Sequence, residues 1–186
     1  MRVILAITGS SGMIYGIRLL EELRKKEIET IVIVSEIGKK IMEYESSYSL
    51  DYVRSLSSSY FENDDLFAPV ASGSFKFDSF VVAPCSISTL AKIANGIADD
   101  LITRVGSVSL KERRRIVLVP REMPLDSVAL RNMLKLSRLG VVIAPPMPAF
   151  YNKPQSIDEM INFVVGKVMD SLDIENDLYK RYIGKE

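Results

Sequence analysis

Five short apolar runs punctuate the chain, at 3–7, 30–34, 79–83, 116–119 and 141–144. All are rich in Val and Ile, and none alternates apolar with polar residues. That pattern predicts strands covered on both faces, as in a parallel sheet. Between the runs, apolar positions recur at helical spacing. In the segment from about 12 to 26, Met13, Gly16, Ile17, Leu20 and Leu23 share one face. Further helices are predicted near 38–46, 86–96, 99–112, 126–137 and 156–172. Strand alternating with helix predicts a three-layer α/β fold, a doubly wound and mostly parallel sheet with right-handed crossovers. The pattern is weakest over 47–75, which reads as a short helix, loops and an edge strand. The polar tail from about 174 to 186 reads as a short helix. No linker divides the 186 residues, a length that suits a single domain.

Composition narrows the chemistry. Lys plus Arg equals Asp plus Glu at 24 each, so no basic excess points to a nucleic-acid partner. The longest apolar runs are strand-sized, which argues against a membrane span. The single cysteine, Cys85, permits no intrachain disulfide and suits a reducing, cytoplasmic setting. Most informative is the absence of histidine. Ser-His-Asp triads, Cys-His pairs and imidazole metal sites are excluded, so proton transfer falls to Asp, Glu, Lys, Tyr or water.

Open α/β sheets bind ligands beyond the carboxyl ends of their strands, where the strand order reverses. After the first strand come Thr8-Gly9-Ser10-Ser11-Gly12; after the second, Ser35-Glu36. After the third come Pro84-Cys85-Ser86-Ile87-Ser88-Thr89; after the fourth, Pro120-Arg121-Glu122; after the fifth, a loop holding Tyr151. The first turn combines glycines that let backbone approach a ligand with a helix N-terminus offering N–H groups to an anion. Its spacing matches neither the dinucleotide fingerprint nor a Walker loop. A plain strand-to-helix turn capped by Ser10 or Ser11 explains it equally well. Ser86, Ser88 and Thr89 offer three hydroxyls at a helix start, where capping needs one. Arg104 and Lys111 lie seven apart and share a helix face. Arg113, Arg114 and Arg115 read as a solvated helix end, Glu45 as surface charge, and Cys85 as a buried, inert thiol.

With these positions assembled, the chain resembles the UbiX/Pad family of flavin prenyltransferases, from residue 3 to about 182. Beside the first turn with Tyr15-Gly16, the matching stretches are Ala71-Ser72-Gly73-Ser74 and Pro84-Cys85-Ser86 with Thr89-Leu90. Leu110-Lys111-Glu112-Arg113-Arg114, Leu118-Val119-Pro120-Arg121-Glu122, and Pro148-Ala149-Phe150-Tyr151 with Pro154-Gln155-Ser156 are longer and more specific. The resemblance implies a Rossmann-like flavoprotein that moves a dimethylallyl group from dimethylallyl phosphate to N5 and C6 of reduced FMN. It implies no metal, a UbiD-type decarboxylase as recipient of the prenylated FMN, and a dodecamer with sites at subunit contacts. Gly9, Ser10, Ser11, Ser35, Ser86, Ile87, Ser88, Thr89 and Arg121 are the implied FMN ligands. Ser72, Arg104, Lys111, Arg121, Glu122, Tyr151, Lys167 and Tyr182 are the implied surroundings of the prenyl phosphate. Ser11, Glu45 and Glu122 are implied to manage protons.

Two positions depart from the family pattern. Lys167 stands where arginine is usual, keeping the charge and losing the planar fork. Tyr182 stands where tryptophan is common, keeping an aromatic face. Three other readings stay open: an FMN-dependent decarboxylase of a small acid, a non-catalytic flavin carrier, and a weaker NAD reading with Glu36 on the ribose.

Overall fold

The computed structural model describes residues 1–182. Its elements run β1 (Arg2–Ile7), α1 (Met13–Lys25), β2 (Glu29–Val34), α2 (Glu36–Glu45), α3 (Leu50–Leu56) and β3 (Ser59–Glu62). After a 3₁₀ turn at Pro69–Ala71 come β4 (Ser79–Cys85), α4 (Ile87–Ala94), α5 (Leu101–Lys111), β5 (Arg115–Pro120), α6 (Ser127–Arg138), β6 (Val142–Ile143) and α7 (Ile157–Ser171). The six strands form one sheet in the order β3-β2-β1-β4-β5-β6, and every pairing is parallel. The order reverses between β1 and β4, which sets the switch point there.

Side chains alternate strictly across the sheet. Ile4, Ala6, Ile31, Ile33, Phe80, Val82, Ile116 and Leu118 pack under α4, α5 and α6. Val3, Leu5, Ile7, Val32, Val34, Val81, Val117 and Val119 pack under α1, α2, α3 and α7. Both faces are therefore dry, which is why the strands read as unbroken apolar runs. Helix starts are capped by short polar side chains: Ser35 on Gly38 N–H, Ser86 on Thr89 N–H, and Asp126 on Ala129 N–H. Asp100 and Thr103 close a reciprocal capping box. No helix among the described residues is long and apolar enough to cross a membrane.

The ambiguous 47–75 region contains the expected pieces, a short helix, loops and an edge strand paired to β2. Other expectations need correction. The described part of the tail, 174–182, forms no helix. Asn176 Nδ2 instead donates to Gly166 O at 3.2 Å, and Tyr179 lies against Gly166, where an added Cβ would sit 2.6 Å from the ring. Contacts with Gly166 and Asp170 on α7 hold this segment back against the helix. Arg114 is also misread as a solvated helix end. Its guanidinium lies 3.9 Å over the Phe77 ring and donates through Nη2 to Gly73 O at 2.8 Å. Arg113 is exposed, as expected; Arg115 is exposed but opens β5 and pairs with Asp173 at 2.6 Å.

Candidate active site at the strand-order switch

Thr8 joins the two strands at the switch. Its buried hydroxyl donates to Pro84 O at 2.9 Å and accepts from Ser86 N–H at 2.8 Å. The loops after β1 and β4 are thereby locked side by side. Arg121 joins them from β5: its backbone N–H donates to Cys85 O at 3.3 Å, and its carbonyl accepts from Ser10 Oγ at 3.5 Å. Ser35 enters from β2, its N–H donating to Ile7 O at 3.0 Å. So Gly9, Ser10, Ser35, Ser86 and Arg121 converge from four strand ends, with Ile87, Ser88 and Thr89 opening α4 beside them. Thr8 was missed as a site residue; the hydroxyl directly after the first apolar run was the available signal.

The glycines shape this cradle. A Cβ on Gly9 would lie 2.5 Å from Ile37 Cγ2, and Gly12 adopts φ +97°. That left-handed backbone is poorly tolerated by other residues. Gly16 lets α1 press onto the sheet, since a Cβ there would collide with Ala83 O.

Two expectations for the first turn are revised. Neither Ser10 nor Ser11 caps α1; Gly12 occupies that position without a side-chain bond. Nor are the Gly12 and Met13 N–H groups free for a ligand. Glu45, at the end of α2, accepts from Gly12 N–H at 2.7 Å and Met13 N–H at 2.6 Å through one oxygen. Its carboxylate sits where the helix dipole favours a negative charge. Glu45 is thus no idle surface charge. It stands against the turn carrying Ser11, whose side chain is exposed.

The anion-binding capacity passes to α4 and Arg121. Ser86 Oγ caps α4 and donates to Thr89 Oγ1 at 3.0 Å, while Ser88 stays exposed. Arg121 Nε is buried and has no partner among the described residues. A buried, unpaired guanidinium nitrogen beside a glycine-lined turn calls for an external acceptor. A flavin mononucleotide, with its phosphate and polar ring edge, matches that donor set. Glu122 is exposed next to Arg121, one carboxylate oxygen accepting Met123 N–H at 3.2 Å. Cys85 lies fully buried, and burial pushes its thiol up, which leaves it protonated and inert.

The predicted prenyl-phosphate residues divide into three groups. Arg121 and Glu122 lie at the switch. Ser72, Arg104 and Lys111 gather elsewhere. Arg104 Nε donates to Ala71 O at 3.0 Å, Ser72 Oγ lies 2.8 Å from Ser74 Oγ, and Lys111 pairs with Glu112 at 3.1 Å beside Gly73. Tyr151, Lys167 and Tyr182 form the third group. Tyr151 meets Tyr182 edge-on at 5.8 Å and Phe163 at 6.0 Å. Phe163 meets Tyr179, which lies 5.8 Å from Lys167 Nζ. Because α5 and α7 cover opposite faces, the sheet separates Arg104 and Lys111 from Lys167. One chain does not by itself collect these four cations around one phosphate.

Comparison with known proteins places the chain. The Flavoprotein family model matches residues 1–169. A flavin prenyltransferase UbiX from Thermoplasma acidophilum is 52% identical over 182 residues, spanning 98% of this chain and all of that protein. The crystal structure of AnUbiX (PadA1), in complex with FMN and dimethylallyl pyrophosphate, superposes with a TM-score of 0.97 at 44% identity, covering 100% of this chain and 98% of that one. A dodecameric FMN-dependent UbiX-like decarboxylase from Escherichia coli O157:H7 also gives 0.97, at 43% identity, covering 99% of this chain and all of that one.

Proposed function

The chain belongs to the flavoprotein family, and from its 52% identity to a UbiX flavin prenyltransferase and its match to AnUbiX in complex with FMN and dimethylallyl pyrophosphate we infer that it is a flavin prenyltransferase of the UbiX kind, moving a dimethylallyl group from a prenyl phosphate to reduced FMN. The observation that carries this reading is the switch-point cradle, where Arg121 keeps a buried nitrogen unpaired beside Gly9, Gly12 and the start of α4. Reduced FMN supplies N5 and C6 as the positions to be alkylated. Gly9, Ser10, Ser35 and residues 86–89 hold it, and Arg121 neutralises the anion nearest β5. The leaving phosphate gains charge as the prenyl group departs, so fixed cations and hydroxyls favour its release. Each such donor is worth roughly 10²–10³ in rate. Glu122, beside Arg121, carries a proton to phosphate or from N5. Ser11 relays the proton lost from C6, with Glu45 behind it.

The same reading assigns the divided cations to more than one copy. Ser72, Arg104 and Lys111 of one subunit meet Tyr151, Lys167 and Tyr182 of another in a homo-oligomer. Support comes from the sheet between the two groups and from the dodecameric relative. The product serves a decarboxylase of the UbiD type.

The test is anaerobic incubation with reduced FMN and dimethylallyl phosphate, followed by the mass of the bound flavin. A gain of one prenyl unit is expected. Unmodified FMN would overturn the reading and favour a flavin carrier.

A further inference from the structure

Lys167 has a carboxylate within reach yet makes only a long ion pair with it, beyond hydrogen-bond distance. Asp170, one turn along α7, already accepts from several donors. Arg181 forks onto it, Nη2 at 2.7 Å from Oδ1 and Nη1 at 3.2 Å from Oδ2. Asn176 Nδ2 donates to Oδ1 at 2.9 Å, and the Tyr179 hydroxyl donates to Oδ2. A carboxylate has about four acceptor positions, and these four hydrogens fill them. Lys167 Nζ is left 3.8 Å from Oδ2, too far for a hydrogen bond. The charges of Asp170 and Arg181 cancel locally, so little net negative charge is left to draw Lys167 in. Its side chain is 55% exposed and borders a pocket of about 290 Å³ lined by Val142, Ala144, Pro145 and Phe163.

We propose that Arg181 is a positioning residue: by saturating Asp170 it prevents Lys167 from collapsing onto that carboxylate and leaves the ammonium free for the phosphate of the prenyl donor. The inference rests on reading Lys167 as a phosphate ligand. Lysine makes this protection necessary, because its flexible stem and single ammonium follow the nearest carboxylate. Without Arg181, the long i,i+3 pair on α7 tightens into a hydrogen-bonded one that holds Lys167. The tail then does more than cover the helix, since its arginine decides where a helix cation points.

The experiment measures KM for dimethylallyl phosphate and Kd for FMN in the intact oligomer of four proteins. These are wild type, Arg181→Ala, Asp170→Asn with Arg181→Ala, and Lys167→Ala. Arg181→Ala is expected to raise KM about tenfold, the loss of one charge-assisted contact, with FMN affinity unchanged. Adding Asp170→Asn removes the competing charge and should recover most of that loss, although the tail has then lost two tethers. A double variant as impaired as Arg181→Ala, or more so, shows the arginine to be a structural tether and overturns the proposal. An unchanged KM in Arg181→Ala overturns it as well. Lys167→Ala separates the two levels. If it raises KM while Arg181→Ala does not, only the role of Arg181 fails. If Lys167→Ala also leaves KM unchanged, the phosphate reading of Lys167 fails first.

Discussion

Glu45 has two separable jobs, and two substitutions divide them. As a helix cap it accepts two backbone N–H groups through a single oxygen, at 2.7 and 2.6 Å. Capping interactions are worth about 0.5–2 kcal/mol. The residue is exposed, so screening places its value near 1 kcal/mol. In a domain of this size that corresponds to roughly 2–4 °C in Tm. Glu45→Ala loses both bonds and should melt lower by about that amount. Glu45→Gln keeps a carbonyl oxygen able to accept both, and loses only the charge–dipole part, about 0.3–1 kcal/mol. Its Tm should therefore fall between those of wild type and the alanine variant. Turnover behaves differently, because neither amide nor methyl carries a proton. Both variants should slow prenyl transfer by about 10²-fold, the lower end of general acid–base effects. Differential scanning calorimetry and single-turnover flavin mass analysis read the two effects independently. If Gln melts no higher than Ala, the cap argument is wrong. If Gln turns over like wild type, Glu45 moves no proton.

Further outcomes follow from the packing and from the titratable groups. Gly16→Ala should cost about 3 kcal/mol or more, because the new methyl meets a backbone oxygen, Ala83 O, that cannot rotate away; an unchanged urea midpoint would contradict the close approach of α1 to the sheet. Tyr179 is pushed up to about 12 by burial and by its bond to Asp170. The folded chain holds this proton longer than the unfolded one, so its contribution is complete below the ordinary tyrosine range near 10 and is lost as pH rises towards 12. Burial raises the Asp170 carboxyl, but bonds from Arg181, Tyr179 and Asn176 outweigh that and hold it below the usual carboxylate range. Its contribution is therefore present at neutral pH and lost in acid as it protonates. In a tyrosinate absorbance titration, Tyr179→Phe should remove the latest step; persistence of that step would refute the assignment.

Much of this was legible along the chain because the periodicities are local. Runs such as 3–7 and 116–119 declare strands buried on both faces, and strand–helix alternation leaves little besides a doubly wound sheet. The ligand-bearing loops follow, since such sheets expose their functional residues at the carboxyl ends of strands. Ser10, Ser35, Ser86 and Arg121 could be named in advance for that reason. Absent histidine is a fact of composition, and it left proton transfer to Asp, Glu, Lys, Tyr or water; Glu45 and Glu122 were singled out only by the family resemblance.

What the chain could not disclose depends on which distant groups meet. Glu45 reads as surface charge because the two N–H groups it holds lie more than thirty positions away, in another turn. Arg114 reads as solvated until Phe77 arrives beneath it from before β4. The tail reads as a helix because its own residues permit one, whereas its conformation is set by Gly166 and Asp170 on α7. The division of Arg104 and Lys111 from Lys167 is likewise a property of the layers. Spacing within one helix places residues on a face, but only packing onto the sheet decides which side of it that face occupies.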